Sequence, residues 1–279
     1  MAEPARHGRS EEGRQAVIAQ PASGFRASIV AALAVLSLYA GLIVSLFWFL
    51  DGAILRETLL TERTLFSVRL SLMAATLATL LALLLAIPAA YALSRSRFPG
   101  KEAAETVLEF PIIVSPAALG AIILIFFNNP LGEWIQENVV YFVFGFAGIV
   151  LAQFVTVLGL AVRMLKAAFD EVPVALERVA RTLGESPRHG FFTVTLPLAK
   201  NGLVAAFILT WAKALGEFGA TLMVAGSMAM RTETLPITIF VRLSSADIES
   251  TVVLILILVV IGLTALFAAR RLLGRVVHA

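Results

Sequence analysis

Leu70-Ser-Leu-Met-Ala-Ala-Thr-Leu-Ala-Thr-Leu80-Leu-Ala-Leu-Leu-Leu-Ala-Ile-Pro88-Ala-Ala-Tyr-Ala-Leu-Ser94 runs its whole length without a charged side chain. About 20 apolar residues suffice to cross roughly 30 Å of hydrocarbon as a helix. A backbone in lipid must satisfy its own hydrogen bonds, and this stretch lacks the strict polar alternation of a barrel strand, so it reads as a membrane helix. Working outward, Ala27–Leu50, Phe110–Gly132, Val139–Val162 and Ser250–Ala269 are equally free of charge. A sixth stretch, Asn201 to Met230, is apolar on both sides of Lys213 and Glu217.

The whole chain agrees with this local reading. Its 279 residues are 59% hydrophobic and 15% charged, against about 25% charge in soluble domains. The fold class is all-α integral membrane with six transmembrane helices. The spans are placed at about 27–50, 66–94, 107–128, 139–165, 198–225 and 249–270, within one domain of 27–273. Residues 1–26 form a polar tail before a retained first helix, and 274–279 a second tail. With no cysteine, a disulfide framework, thiolate metal sites and a cysteine nucleophile are excluded. The net charge of +3 does not point to nucleic acid, because the basic residues show neither a recognition-helix pattern nor aromatic interleaving.

Those basic residues set the topology. The tail carries Arg6, Arg9, Arg14 and Arg26, the connection after span 2 carries Arg95, Arg97 and Lys101, and the long connection after span 4 carries Arg163, Lys166, Arg178, Arg181, Arg188 and Lys200. Arg270, Arg271 and Arg275 end the chain on the same side, while Arg56, Arg63, Arg231 and Arg242 lie on the other. The positive-inside rule puts both termini in the cytoplasm of a multi-pass protein of the cell (inner) membrane. Pro88, Pro111 and Pro116 lie inside spans 2 and 3, where each removes a helical hydrogen bond. The kinks either border a passage, with Ser115 and Pro116 on its wall, or simply fit neighbouring helices together.

The cytoplasmic connection, 166–197, has helix signals of its own. Asp170, Glu171 and Pro173 open one short helix, Gly184 ends it, and Ser186-Pro187 opens a second. Small residues at the turn project Ala180, Leu183 and Gly184 where a partner protein can come close. The arginines there are either docking groups or plain topogenic charge.

Glu177-Arg-Val-Ala180-Arg-Thr-Leu-Gly184, followed by Val194-Thr-Leu196-Pro197, resembles the EAA-type loop of binding-protein-dependent ABC importer permeases. Arg178 and Val179 depart from the small or acidic residues of that pattern, and Glu177 sits one residue early. The resemblance implies a type I importer fold and a coupling helix that docks on an ATPase through Glu177, Ala180, Leu183, Gly184 and Ser186. It also implies a homodimer of this chain, two cytoplasmic ABC ATPase subunits carrying the Mg-ATP, and an extracytoplasmic oxyanion-binding protein. The chain itself is expected to bind no cofactor, and no G-x-x-x-x-G-K-[ST] occurs in it.

Trp211-Ala-Lys213-Ala-Leu-Gly216-Glu217-Phe-Gly219-Ala-Thr221-Leu-Met223 interrupts the fifth span with two charges four residues apart. On a continuous helix they share a face. Charge near the midplane is costly and marks function. Either the pair forms a clamp, within the chain or with a symmetry mate, or Lys213 presents positive potential to a passing anion. Glu217 has no histidine or second carboxylate beside it, so no metal is implied. Ala-Leu-Gly-Glu-Phe-Gly-Ala-Thr, with Thr234-Leu235-Pro236 behind it, resembles the oxyanion branch of these permeases. Gly219 to Met223 and Ser-Ala-Asp247-Ile-Glu249 are most similar to molybdate and tungstate permeases, and sulfate and thiosulfate permeases share the Gly-Glu-aromatic-Gly signature. Lys213 stands where that branch suggests arginine. Lys213, Gly216, Glu217, Gly219, Thr221, Ser115 and Pro116 are therefore the expected residues of the translocation path.

Other classes explain less. His7, His189 and His278 are the only histidines and none lies in a span, which disfavours an intramembrane enzyme. An ion channel or secondary carrier would leave the double-helix connection without a purpose.

Overall fold

The computed structural model describes residues 22–277, so the expected tail is outside the described residues up to residue 21. Two units are distinguished, ending and beginning at Phe49 and Leu50. The first contains α1, Ala22–Leu46, whose 25 residues rise about 37 Å at 1.5 Å each, enough to cross a bilayer.

The second unit is helical among the described residues. Asp51 starts α2, Gly52–Leu60, by accepting the N–H of Ala53 at 2.8 Å. The long α3, Glu62–Arg95, follows, and its two faces differ in kind. Ser67, Ser71, Ala74, Ala75, Ala78, Ala82, Ala86 and Ala90 are buried, while Leu77, Leu80, Leu81, Leu84 and Leu85 are exposed. In lipid the burial of leucine gains little, so association falls to close van der Waals packing between small residues. The alanine face accordingly lies against α7, Phe146–Asp170, with Ala74 and Ala78 meeting Ile149 and Val150, and Ala86 and Ala90 meeting Ala161, Val162 and Leu165. α10, Lys200–Leu215, joins the same pair, and its Trp211 Nε1 donates to Thr76 Oγ1 at 3.0 Å.

Two of the expected single spans are broken. The third consists of α4, Lys101–Ile113, and α5, Pro116–Phe127, which meet at 109°. Proline pushes the residue before it out of the helical region, and Ser115 has ψ 144°. Pro116 thus opens a new helix instead of kinking an old one, and Ser115 Oγ accepts the Ala118 N–H at 3.3 Å. Asn129 caps α6, Pro130–Asn138. In the fifth span α10 ends at Leu215, Gly216–Phe218 are non-helical, and α11 covers Gly219–Ala225. The connection before it holds α8, Val174–Thr182, and a second helical stretch, α9, Pro187–Leu198, which meets α10 at 73°.

Between the fifth and sixth spans lies α12, Leu235–Ser244. Its start is buried from Thr232 to Thr238, and the Leu235 N–H donates to Ser71 Oγ of α3 at 2.7 Å. α13, Ile248–Val277, is the last span.

Candidate functional site

The breaks in the third and fifth spans are in contact. A Cβ placed on Gly219 would lie 3.0 Å from both the backbone nitrogen of Ala117 and Cβ of Pro116. Glycine therefore lets α11 start against the first turn of α5, where any side chain would force the two apart. Gly120, one turn further along α5, faces Ala220 and Met223 in the same tight manner. Four of the expected path residues, Ser115, Pro116, Glu217 and Gly219, are thus gathered at one crossing, although a hundred residues of chain separate the halves.

Glu217 is 2% exposed, and its Oε1 accepts the N–H of Ala220 at 2.9 Å. A carboxylate at the start of a helix satisfies a free backbone donor and faces the positive end of the dipole. Thr221 is buried behind it. The clamp within the chain is not formed: among the described residues no ion pair joins Lys213 to Glu217. Four-residue spacing brings side chains together only while the helix continues, and here the helix stops at Leu215, with exposed Gly216 as its C-cap. Lys213 stays on the last turn of α10, exposed, where a cation suits the negative end of the dipole.

The connection between α7 and α10 forms a second cluster. Gly184 has φ +91°, a conformation open to glycine and strained for other residues, and it turns the chain out of α8. Ser186 Oγ then caps the next helical stretch by accepting the His189 N–H at 3.2 Å. Leu183 is 80% exposed, and Val174, Leu176, Val179 and Phe192 are exposed near it. Ala180 is half-buried.

Glu177 differs from its neighbours. Expected on the docking surface, it is 4% exposed and turned inward. Its Oε1 accepts from Arg95 Nε at 2.8 Å and from Thr195 Oγ1 at 2.6 Å, and its Oε2 from the Tyr91 hydroxyl at 3.0 Å. Burial pushes the Glu177 carboxyl up, but the hydrogen bonds from Thr195, Arg95 and Tyr91 and the arginine charge outweigh it and hold the group below the usual glutamate range. Arg95 also donates to the Val172 carbonyl at 2.9 Å.

A third feature, for which the sequence carries no local signal, lies near the start of α3. Arg63 donates through Nε and Nη2 to both oxygens of Glu233, at 2.8 and 2.6 Å, and the Glu233 side chain is 1% exposed. The residues are 170 positions apart, and nothing local in the sequence links them. Among the described residues no group of three or more histidine, aspartate or glutamate side chains is placed to hold a metal.

Broken membrane helices that meet at their breaks, beside a structured connection with exposed apolar residues, are features of membrane transport components. The chain belongs to the family described as "Binding-protein-dependent transport system inner membrane component", whose pattern matches residues 78–278. It is 35% identical over 198 residues to the molybdenum transport system permease protein ModB of Escherichia coli (strain K12), a match covering 69% of this chain and 85% of the relative. It is 33% identical over 173 residues to the sulfate transport system permease protein CysW of Synechococcus elongatus, covering 61% and 60%. Among solved structures it resembles a bacterial ABC transporter involved in the import of alginate, with a TM-score of 0.75 at 16% identity over 94% of this chain and 99% of that one. The fold is that of a type I ABC importer permease, and the chain is a multi-pass component of the inner membrane, not itself an enzyme.

Proposed function

We propose that this chain forms the membrane path of an ATP-driven importer of molybdate and tungstate. The observation that carries the reading is the meeting of the two breaks, Ser115-Pro116 against Gly219, with an exposed Lys213 on the last helical turn before the second break. Two copies form the path, each contributing one Lys213, so that two positive charges face a doubly charged oxyanion. Lysine attracts the ion as a point charge without gripping it bidentately, which suits a residue that must also release it. The similarity to ModB supports molybdenum as the element carried, and Gly219 to Met223 support the same branch.

The connection, expected at 166–197 and running over 171–199 because Lys166 to Asp170 continue α7, is the docking segment for two ATPase subunits, with Leu183, Gly184 and Ala180 at its surface. Exposed apolar residues gathered on a connection between membrane spans mark an interaction site. ATP can bias the path only through contacts that differ between its states, and a short helix held at the end of the spans supplies such contacts. Both termini and this connection are cytoplasmic, and the oxyanion-binding protein delivers its cargo from the opposite face.

Uptake of labelled molybdate by cells expressing this chain with its ATPase and binding protein tests the substrate. Competition by excess tungstate, with none by sulfate or thiosulfate, is the expected result. The match to CysW favours one other reading, a sulfate permease, and strong competition by sulfate would replace the first with the second.

A further inference from the structure

A displacement of the ATPase-docking connection has to reach the crossing of the broken helices at 114–118 and 216–219 if it is to change the path. We infer that the buried Arg95 and Glu177 pair is the joint that transmits it, a positioning site for transport and not a contact with the ATPase. This inference rests on the docking reading above.

The first ground is accessibility. The side chains of Arg95 and Glu177 are 10% and 6% exposed, so a docked subunit cannot reach the carboxylate. The second is the number of segments the carboxylate gathers. Arg95 and Tyr91 come from the end of α3, Glu177 from α8 and Thr195 from α9, while Arg95 Nη2 also holds the Val172 carbonyl between α7 and α8. Beneath them Tyr91, Phe169 and Phe191 pack with ring centroids 4.6 to 6.0 Å apart. A loop held by one flexible hydrogen bond would absorb a push. A paired charge with three donors, resting on three interlocked rings, moves as one body.

The third ground is where the contacts lead. Arg95 Nη1 donates to Ser94 Oγ at 3.2 Å, and Ser94 donates in turn to Asp170 Oδ1 at 2.5 Å. Lys166 Nζ lies 3.0 Å from Asp170 and 3.7 Å from Glu105 on α4. These steps, none longer than 4 Å, join α8 to α4. The far end of α4 is the 109° bend, and beyond it Pro116 rests on Gly219. A shift of the docking segment therefore arrives at α4 as a shift of the helix that carries one half of the crossing.

The test uses the complete transporter in proteoliposomes, with ATP hydrolysis and molybdate uptake measured in the same vesicles. Arg95→Gln should keep the ATPase bound and hydrolysing while uptake per ATP falls about tenfold, a loss of coupling and not of binding. Arg95→Lys should recover part of that loss, because charge is kept while the fork of donors is not. Unchanged uptake per ATP in Arg95→Gln would overturn the inference. So would loss of the ATPase from correctly inserted Arg95→Gln permease, which would make the pair a support of the docking surface alone. If Arg95→Gln does not fold, Asp170→Asn, one link further on, carries the same test with the same overturning result. Gly184→Trp run alongside examines the docking reading separately: if that variant retains its ATPase, the docking reading fails, whatever the joint does.

Discussion

Glu217 Oε1 accepts the backbone N–H of Ala220 at 2.9 Å, so the acidic side chain in the fifth span belongs to the first turn of α11 and not to Lys213. Replacing the acid by glutamine leaves an acceptor of the same reach, whereas alanine leaves the donor bare. Glu217→Gln should keep most of the uptake, and Glu217→Ala should lose it with a helix-end penalty of about 1 kcal/mol. Equal uptake in the two variants would show that the acceptor is idle.

Gly219→Val places a branched side chain where a single carbon already lies 3.0 Å from Ala117 and Pro116. The neighbours are backbone and a proline ring, which cannot rotate away. Overpacking of this kind costs about 1–3 kcal/mol, and the crossing should be held apart. Uptake should fall by an order of magnitude or more, with insertion preserved on a membrane fractionation blot.

Lys213→Ala should reduce uptake far more than Lys213→Arg, since only the first removes the charge offered to the anion. Co-purification of the ATPase should be unaffected in both. Wild-type uptake by Lys213→Ala would remove the lysine from the path.

Arg63→Ala strands the buried carboxylate of Glu233; because the Arg63 side chain is 32% exposed, the cost falls below that of breaking a fully buried pair, about 3–5 kcal/mol. The thermal denaturation midpoint in detergent should drop markedly. The double variant Arg63→Met with Glu233→Met, apolar on both sides, should recover most of it.

Acid should loosen the docking segment. Glu177 has its pKa lowered on folding, so its charged form stabilises the segment at every pH above the ordinary glutamate value, about 4.3. That stabilisation is lost as the pH falls through the lower folded value. Asp247 is also held below its usual range: burial opposes this, but the hydrogen bonds from Ser250 and Arg242 prevail, and the turn before α13 should follow the same course. Proteolysis of the 171–199 connection should be flat from neutral pH to about 5 and rise below about 4, and Glu177→Gln should flatten the response.

The membrane class and the helical content were legible because lipid permits few backbone solutions and the charge-free runs are long. The turn at Gly184 was legible from glycine followed by Ser186-Pro187. Pro116 announced an irregularity, but a proline reads as a kink or a new beginning only once the direction of the neighbouring helix is known. Lys213 and Glu217 do not share a face, because the helix ends between them at Gly216, and a glycine inside an apolar run gives no sign of whether it will continue a helix or stop it. Arg95 with Glu177 and Arg63 with Glu233 were illegible: they join positions 82 and 170 apart, and only folding selects one arginine among many.

The alanine face of α3 has a further consequence. Alanine has no rotamers to lose when buried, so this surface forms without the ordering penalty that leucine or methionine would impose. It also has no long side chains to interlock with α7. Across the seam α7 presents the branched side chains of Ile149, Val150, Val162 and Leu165, so the large groups of that contact come from one helix and rest on the methyl groups of the other. The stripe from Ala74 to Ala90 that makes the contact close therefore confines the ordering cost of the seam to α7.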